Sequence, residues 1–204
     1  MAKKNSQSGF TLTEVLVSIT IFILIIVAIY SIYILSQKAY QEGERAAEIT
    51  QNGRVILERM TREIRQAKEI VTELPQVPDN PDKPPLSEIE FEDGHTPSLY
   101  QSLGSGYYYI RYFIPENSNE LKRQYRVYCF EDCGICSTYF RWNDTRLVEG
   151  VPENTHPCNL EELAVGEYVS DLKFWGTNLI NISLTLSKND KEINLKTEVS
   201  GRNI

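Results

Sequence analysis

The sequence has little of the chemistry on which most enzymes depend. It contains only two histidines among 204 residues, and it lacks both a serine-nucleophile motif and a glycine loop of the kind that binds phosphate. An excess of basic residues is also missing, since 21 lysines and arginines face 28 acidic residues and the net charge is −7. That balance argues against a general affinity for nucleic acid. We therefore expect no enzyme activity, no cofactor and no nucleic-acid partner.

A long segment near the N-terminus lacks charged residues altogether. It runs from Val15 to Leu35 and would be about 31 Å long as a helix, which matches the ~30 Å hydrocarbon core of a bilayer. The apolar core of a removed signal peptide is shorter, about 7–15 residues, and no small-residue cleavage site follows this segment. These features favour a retained single-pass transmembrane helix over a removed signal peptide.

The residues that flank the segment indicate its orientation. Lys3 and Lys4 precede it, whereas Glu42, Glu44 and Glu48 outnumber the basic residues just after it. Because short cytoplasmic flanks carry the excess of positive charge, we expect the N-terminus inside the cytoplasm and the rest of the chain outside it.

Glu14 does not fit a plain membrane anchor. A carboxylate at the edge of the apolar core costs up to ~3 kcal/mol, so it needs a partner or a function. The residues around it read GFTLTE, from Gly9 to Glu14, and the apolar segment follows directly. This arrangement resembles the leader motif of the type IV pilin and pseudopilin family, Gly-Phe-Thr-Leu-x-Glu.

The resemblance implies a defined processing route. Residues 1–9 would be a leader that a prepilin peptidase removes by cutting between Gly9 and Phe10, and the new amine of Phe10 would be methylated. Glu14 would then pair with the Phe10 ammonium of a neighbouring subunit and set its register in a filament. The implied partners are other pilins, the peptidase, membrane lipid and an assembly platform in the inner membrane.

The first helix divides into two parts. No proline occurs before Pro75, so we predict one helix with a transmembrane or filament-core half at 10–37 and an amphipathic half at 38–74. The inward positions of the outer half lie three or four residues apart: Ile49, Gly53, Ile56, Leu57, Met60, Ile64, Ala67 and Val71. This half is similar to the helix of PilW-type minor pilins and J-type pseudopilins, which implies a minor subunit that helps to initiate a pilus or a type II secretion filament near its tip.

Residues 75–204 are predicted to form a β-rich head. A proline-rich loop at 75–87 cannot continue the helix and is expected to be a stiff connector. Beyond it, strand-like runs are predicted at 88–93, 107–114, 124–130, 137–142, 168–175, 179–187 and 191–199. The predicted class is α+β, with the apolar face of an antiparallel sheet packed on the outer half of the helix.

Four cysteines lie in a predicted insertion at 129–158. They are Cys129, Cys133, Cys136 and Cys158. Outside the cytoplasm thiols are normally oxidised, so two disulfides of undetermined pairing are favoured over a metal site that could also use His156. A third alternative, a thiol–disulfide exchange site at the C-x-x-C pair, lacks the helix N-terminus that such a site requires.

Tyrosines and arginines alternate in the first part of the head. Tyr125 lies among Arg111, Arg123 and Arg126, and such a mixture could form a stacking surface for DNA or glycans. The alternative function is therefore a filament-borne adhesive or DNA-capturing subunit. The interpretation that we favour is structural, with the tyrosines lining a sheet that packs on the helix.

Overall fold

The fold was analysed in a computed structural model of the chain, in which residues 11–78, 81–84, 86–94 and 106–201 are described. Within these residues the elements are α1 (Leu12–Gln66), β1 (Ile89–Glu92), β2 (Tyr109–Phe113), β3 (Leu121–Cys129), β4 (Thr145–Val148), β5 (Val151–Asn154), β6 (His156–Gly166), β7 (Val169–Trp175), β8 (Ile180–Lys188) and β9 (Lys191–Val199). One long helix with antiparallel sheets confirms the predicted α+β class.

The chain divides into two compact units, Met1–Ala46 and Ala47–Ile204, and α1 contributes to both. In the described part of the first unit, α1 is exposed along its apolar length. It is long and apolar enough to cross a membrane, since an 18-residue window has a mean hydropathy of 2.9. Ser18, Thr20 and Ser31 each donate a hydrogen bond to the carbonyl four residues earlier, at 2.7–2.8 Å. Because the helix itself satisfies these hydroxyls, they do not prevent the segment from entering lipid.

The second unit is built on the amphipathic part of α1. Its buried residues are the predicted ones, namely Ile49, Gly53, Ile56, Leu57, Met60 and Ile64. They share one core with the apolar faces of two antiparallel sheets. The strand order is β1-β2-β3-β6 in the four-stranded sheet and β7-β8-β9 in the three-stranded sheet, whereas the sequence predicted a single sheet. The chain turns between β6 and β7, where Tyr168 has a φ of 64°.

Helix α1 ends at Gln66, before the boundary at residue 74 that the sequence predicted. Directly after it, the backbone pairs with β1: Lys68 N–H donates to Glu92 O at 3.0 Å and Val71 N–H donates to Glu90 O at 2.9 Å. Hydrogen bonds to the edge of β1 therefore replace the next helical turn. Helix propensity is a weak preference, and tertiary pairing of this kind overrides it.

The predicted connector is tied to the three-stranded sheet at two points. Gly176 N–H donates to Pro75 O at 2.7 Å, and Phe174 N–H donates to Leu86 O at 2.9 Å. The described residues of this segment form no helix, in agreement with its proline content.

The cysteine-containing insertion carries a hairpin that the sequence did not predict. Strands β4 and β5 are joined by Glu149 and Gly150, both with positive φ (53° and 85°), as a two-residue hairpin turn requires. The predicted strand at 137–142 is reduced to one bridge between Tyr128 and Phe140. Strand β6 was also missed, because its polar and apolar residues do not alternate regularly and the adjacent Leu163 and Ala164 are both exposed.

Candidate functional site

The N-terminus of α1 is closed by a reciprocal set of hydrogen bonds. The backbone N–H and the hydroxyl of Thr11 both donate to Oε2 of Glu14, each at 2.9 Å. In return, the backbone N–H of Glu14 lies 3.4 Å from the Thr11 hydroxyl oxygen. This is a capping box, in which the residue before the helix and the third helical residue satisfy each other's backbone donors.

Our sequence reasoning missed this cap, although its signal is present. The pattern Thr-x-x-Glu, from Thr11 to Glu14, stands directly before an apolar run, as in other capping boxes. Both carboxylate hydrogen bonds use Oε2, and among the described residues no donor contacts Oε1. A carboxylate accepts several hydrogen bonds, so Oε1 can still bind a cation while Oε2 caps the helix.

The other two residues of the predicted processing and docking site are Gly9 and Phe10. They lie outside the described residues. Both the cleavage between them and the pairing of Phe10 with Glu14 therefore stay predictions. The described part of the site is the carboxylate of Glu14, which stands exposed at the start of α1.

Arg123, which the alternative interpretation assigned to a ligand surface, is used inside the head. Its Nε lies 3.0 Å from Oε2 of Glu63 on α1, and its side chain is only 12% exposed. The hydroxyl of Tyr112 donates to the same Glu63 oxygen at 2.7 Å. Burial, followed by the nearby Glu63 carboxylate, raises the pKa of Tyr112. The contacts of Arg123 and Tyr112 with Glu63 therefore join the four-stranded sheet to the helix.

Arg126 and Arg111 are also held by carboxylates of the fold. Arg126 contacts Glu90 at 2.9 Å, with its side chain 12% exposed, and the hydroxyl of Tyr128 donates to the other oxygen of Glu90 at 2.8 Å. Arg111 forms an ion pair with Glu88. Their ion pairs stabilise the sheet and largely neutralise the arginine charges, so these side chains are poorly available to bind a ligand.

Tyr125, the fourth residue of this alternative ligand surface, is almost fully buried. Its ring is stacked on Tyr108, with 5.6 Å between the centroids, and its hydroxyl donates to Asp93 at 3.1 Å. It is 3% exposed. The position of this ring favours the structural interpretation of the tyrosines over a stacking surface for DNA or glycans.

The four cysteines form two disulfides, Cys129–Cys136 and Cys133–Cys158. This pairing was left open by the sequence. Cys133 and Cys136 are joined to different partners, so the C-x-x-C pair is not a redox disulfide. His156 lies beside the second bridge, where one of its ring nitrogens and the Sγ atoms of Cys133 and Cys158 all lie within 4.8 Å of one another.

Comparison with known proteins supports the interpretation of the N-terminal segment. The family model of the prokaryotic N-terminal methylation motif matches residues 4–30, which include the leader motif and most of the apolar stretch. No curated protein and no solved structure matches the chain.

Proposed function

The chain belongs, by its N-terminal segment, to the type IV pilin and pseudopilin family, and from that premise we propose that it is a minor structural subunit of a type IV pilus or of a type II secretion pseudopilus. The observation that carries the proposal is the coincidence of the methylation motif at residues 4–30 with an exposed apolar helix whose N-terminus is capped by Glu14 and Thr11. A role as a structural subunit agrees with this motif better than a role as an enzyme does.

The proposed life cycle has two stages. The chain first lies in the inner membrane, with the N-terminus inside and the head outside the cytoplasm. A prepilin peptidase cuts between Gly9 and Phe10 and methylates Phe10. The apolar part of α1 then leaves the lipid and packs against the helices of other pilins, which cover its exposed side chains. The two disulfides fit an oxidising compartment for the head.

Docking depends on the unused oxygen of Glu14. We propose that Oε1 accepts a hydrogen bond from the methylated Phe10 ammonium of an adjacent subunit, while Oε2 stays bound to Thr11. At ~4 Å and an effective dielectric constant of about 20, such a pair attracts by roughly 4 kcal/mol. Without a partner both charges would face lipid at considerable cost. The pair therefore favours one axial position of the incoming subunit.

The proposal of a minor, initiating subunit rests on two features of the sequence. The outer half of α1 is similar to that of PilW-type minor pilins and J-type pseudopilins, and α1 contains no proline, whereas the apolar half of this helix often has one in major pilins. We infer that the chain joins other minor pilins near the filament tip, where it helps assembly to begin.

Filament isolation in the native host tests this function. We expect the full-length chain in the sheared filament fraction at far lower abundance than the major subunit, and we expect its deletion to reduce the number of filaments per cell. Filaments of normal number that have lost adhesion or DNA uptake would support the adhesive alternative. A chain that is missing from the filament fraction, together with normal filaments and secretion after its deletion, would overturn the proposal.

A further inference from the structure

We propose that the end of the β4–β5 hairpin binds in an apolar groove with a basic border on the head of a different pilin-type subunit. We call this end the apolar tip, and it consists of Leu147, Val148, Val151 and Pro152. Because the contact would join the chain to a neighbour in a filament, it rests on the proposed function. It would add a contact between heads to the contact that Glu14 makes at the start of the helix.

Exposed apolar side chains of the head are concentrated on this hairpin. In the described residues from Ala47 onward, eight large apolar side chains are exposed, and three of them are Leu147 (76%), Val148 (45%) and Val151 (66%). The others are spread over separate segments: Val55, Val77, Ile135, Leu163 and Leu179. Single exposed apolar residues are ordinary on a protein surface, whereas a cluster of them marks an interaction surface.

The register of the hairpin puts apolar residues on both of its faces. Leu147 is paired with Pro152, and Val148 is paired with Val151. Paired residues of an antiparallel ladder lie on the same face, and successive residues lie on opposite faces. One apolar pair therefore covers each face, and all four residues are exposed. A flat surface would cover only one of these pairs, whereas a groove covers both.

The base of the hairpin is fixed to the rest of the head. Arg146 and Glu153 form an ion pair across the two strands at 2.5 Å, and the guanidinium of Arg146 lies 4.7 Å from the centre of the Phe130 ring. The Cys133–Cys158 disulfide closes the segment that contains the hairpin. An isolated two-stranded hairpin is marginally stable in water, so these contacts hold the apolar tip in place. A fixed tip loses less conformational entropy when it binds.

Charge distinguishes a protein groove from a lipid surface as the partner. The insertion at 129–158 contains five acidic and two basic residues. Both basic residues lie beside carboxylates, since Arg146 pairs with Glu153 and Arg141 lies 4.0 Å from Glu69. Glu149, in the turn between the strands, is exposed. An anionic membrane surface repels an acidic insertion, whereas basic side chains around a groove attract it.

The same charge disfavours a second copy of this chain as the partner. If two apolar tips met about a twofold axis, their Glu149 carboxylates would come together and repel each other. A minor subunit is also present in few copies, so most of its neighbours are other subunits. The partner that fits best is therefore a different subunit of the same family.

Photo-cross-linking in the native host tests the contact. Benzoylphenylalanine is introduced at Leu147 or at Val151 of the full-length chain, and at Leu179 as a control that is exposed outside the hairpin. After irradiation of intact cells, we expect both hairpin positions to give a major cross-link to a different protein that carries the same N-terminal methylation motif. The label at Leu179 should give much less of this product. Mass spectrometry identifies the cross-linked protein.

Three variants separate the apolar and the charged parts of the contact. Leu147→Ser combined with Val151→Ser should lower the amount of partner that co-purifies in detergent by at least about tenfold, because these residues would form the centre of the interface. Glu149→Lys should lower it at low ionic strength and have less effect at high ionic strength, since salt screens the charge. Leu179→Ser should leave it unchanged within about twofold. All variants should keep the urea midpoint of the unmodified chain, because the replaced side chains are exposed.

Three results would overturn the contact. The first is a chain that is present in filaments but whose hairpin labels cross-link to no pilin-type subunit. The second is cross-linking mainly to lipid or to a second copy of the chain. The third is undiminished co-purification after the double substitution. Each of these results leaves the proposed function intact, because filament isolation measures that function independently. Absence of the chain from filaments, with normal filaments after its deletion, would overturn both.

Discussion

Glu14 binds Thr11 of its own chain through one carboxylate oxygen only, since Oε2 accepts both the backbone N–H and the hydroxyl of Thr11 at 2.9 Å. The same side chain therefore has a local structural role, and a second oxygen remains for the docking role that we propose. The two roles depend on different properties of the side chain. Capping needs an acceptor atom, whereas docking needs a negative charge.

Glu14→Gln separates these roles. Glutamine occurs at this position of capping boxes, so the variant keeps the cap and loses the charge. We expect incorporation into filaments to fall by at least tenfold for both Glu14→Gln and Glu14→Ala, because a pair worth roughly 4 kcal/mol is lost and about 1.4 kcal/mol is already tenfold. Quantitative immunoblotting of sheared filaments measures the effect.

Thr11→Ala is the matched control for that comparison. It removes the cap, at roughly 0.5–2 kcal/mol of helix stability, and keeps the carboxylate. We expect it to assemble much better than Glu14→Gln, with processing checked by mass spectrometry in every variant. Normal assembly of Glu14→Gln together with failure of Thr11→Ala would mean that Glu14 only caps the helix.

Helix α1 and the three-stranded sheet approach each other closely at Gly53. A Cβ atom at Gly53 would lie 2.5 Å from Leu195 Cδ1 and 2.8 Å from Leu186 Cδ1, whereas a Cβ at Gly43 would meet nothing within 4 Å. We expect Gly53→Val to lower the free energy of unfolding of the head by about 1–3 kcal/mol through overpacking.

Gly43→Val is the control, because valine has a higher helix propensity than glycine and no neighbour has to move. The urea midpoint of the head, followed by tryptophan fluorescence of the full-length chain in detergent, reports both variants. Equal midpoints for Gly53→Val and Gly43→Val would contradict the close packing at Gly53.

Stability at alkaline pH tests the buried tyrosines. Burial is the first cause that raises the pKa of Tyr109, Tyr112, Tyr125 and Tyr128 above the ordinary value of 10.0. Above about pH 10 the unfolded chain loses phenolic protons that the folded chain keeps, so the folded state is progressively destabilised as the pH rises.

Each such tyrosine contributes up to about 1.4 kcal/mol per pH unit to this loss. We expect Tyr112→Phe to make the decline of the free energy of unfolding between about pH 10 and 11 shallower. The variant also loses the hydrogen bond to Glu63, so near neutral pH it should be less stable by about 0.5–1.5 kcal/mol. Urea midpoints across this range measure the slope. A slope equal to that of the unmodified chain would mean that Tyr112 ionises as easily in the folded state as in the unfolded state.

Local sequence patterns predicted the parts of the fold that depend on periodicity. The inward positions of the outer helix from Ile49 to Ala67 are buried as expected. Strand β9 has its predicted bounds, Lys191–Val199, and its residues alternate between partial burial and exposure. In these segments one face meets the core, so the period of the apolar residues reports the structure.

Pairing between distant residues could not be predicted in the same way. The end of α1 at Gln66 depends on hydrogen bonds from Lys68 and Val71 to β1, more than twenty residues away in the case of Glu92. The Cys133–Cys158 disulfide and the ion pair between Arg123 and Glu63 likewise join residues that lie far apart in the sequence. A single sequence shows which groups can pair, but the three-dimensional arrangement decides which of them meet.

The candidate site shows a further limit of pattern reasoning. The motif from Gly9 to Glu14 suggested the family and the docking role that we propose. Because we interpreted these residues only as a leader motif, we did not predict the Thr-x-x-Glu cap that they also contain. The arginines near Tyr125 suggested a ligand surface because charge is visible in the sequence, whereas the carboxylates of Glu63 and Glu90 that bind them come from other elements.

The mature N-terminus tests the central claim most directly. The chain should be purified from membranes or filaments of its native host and its first residues determined by mass spectrometry. We predict a chain that begins at N-methylated Phe10 and retains the whole apolar helix. A mature protein that keeps Met1–Gly9, or one that begins beyond the apolar segment and is released from the membrane, would contradict the account.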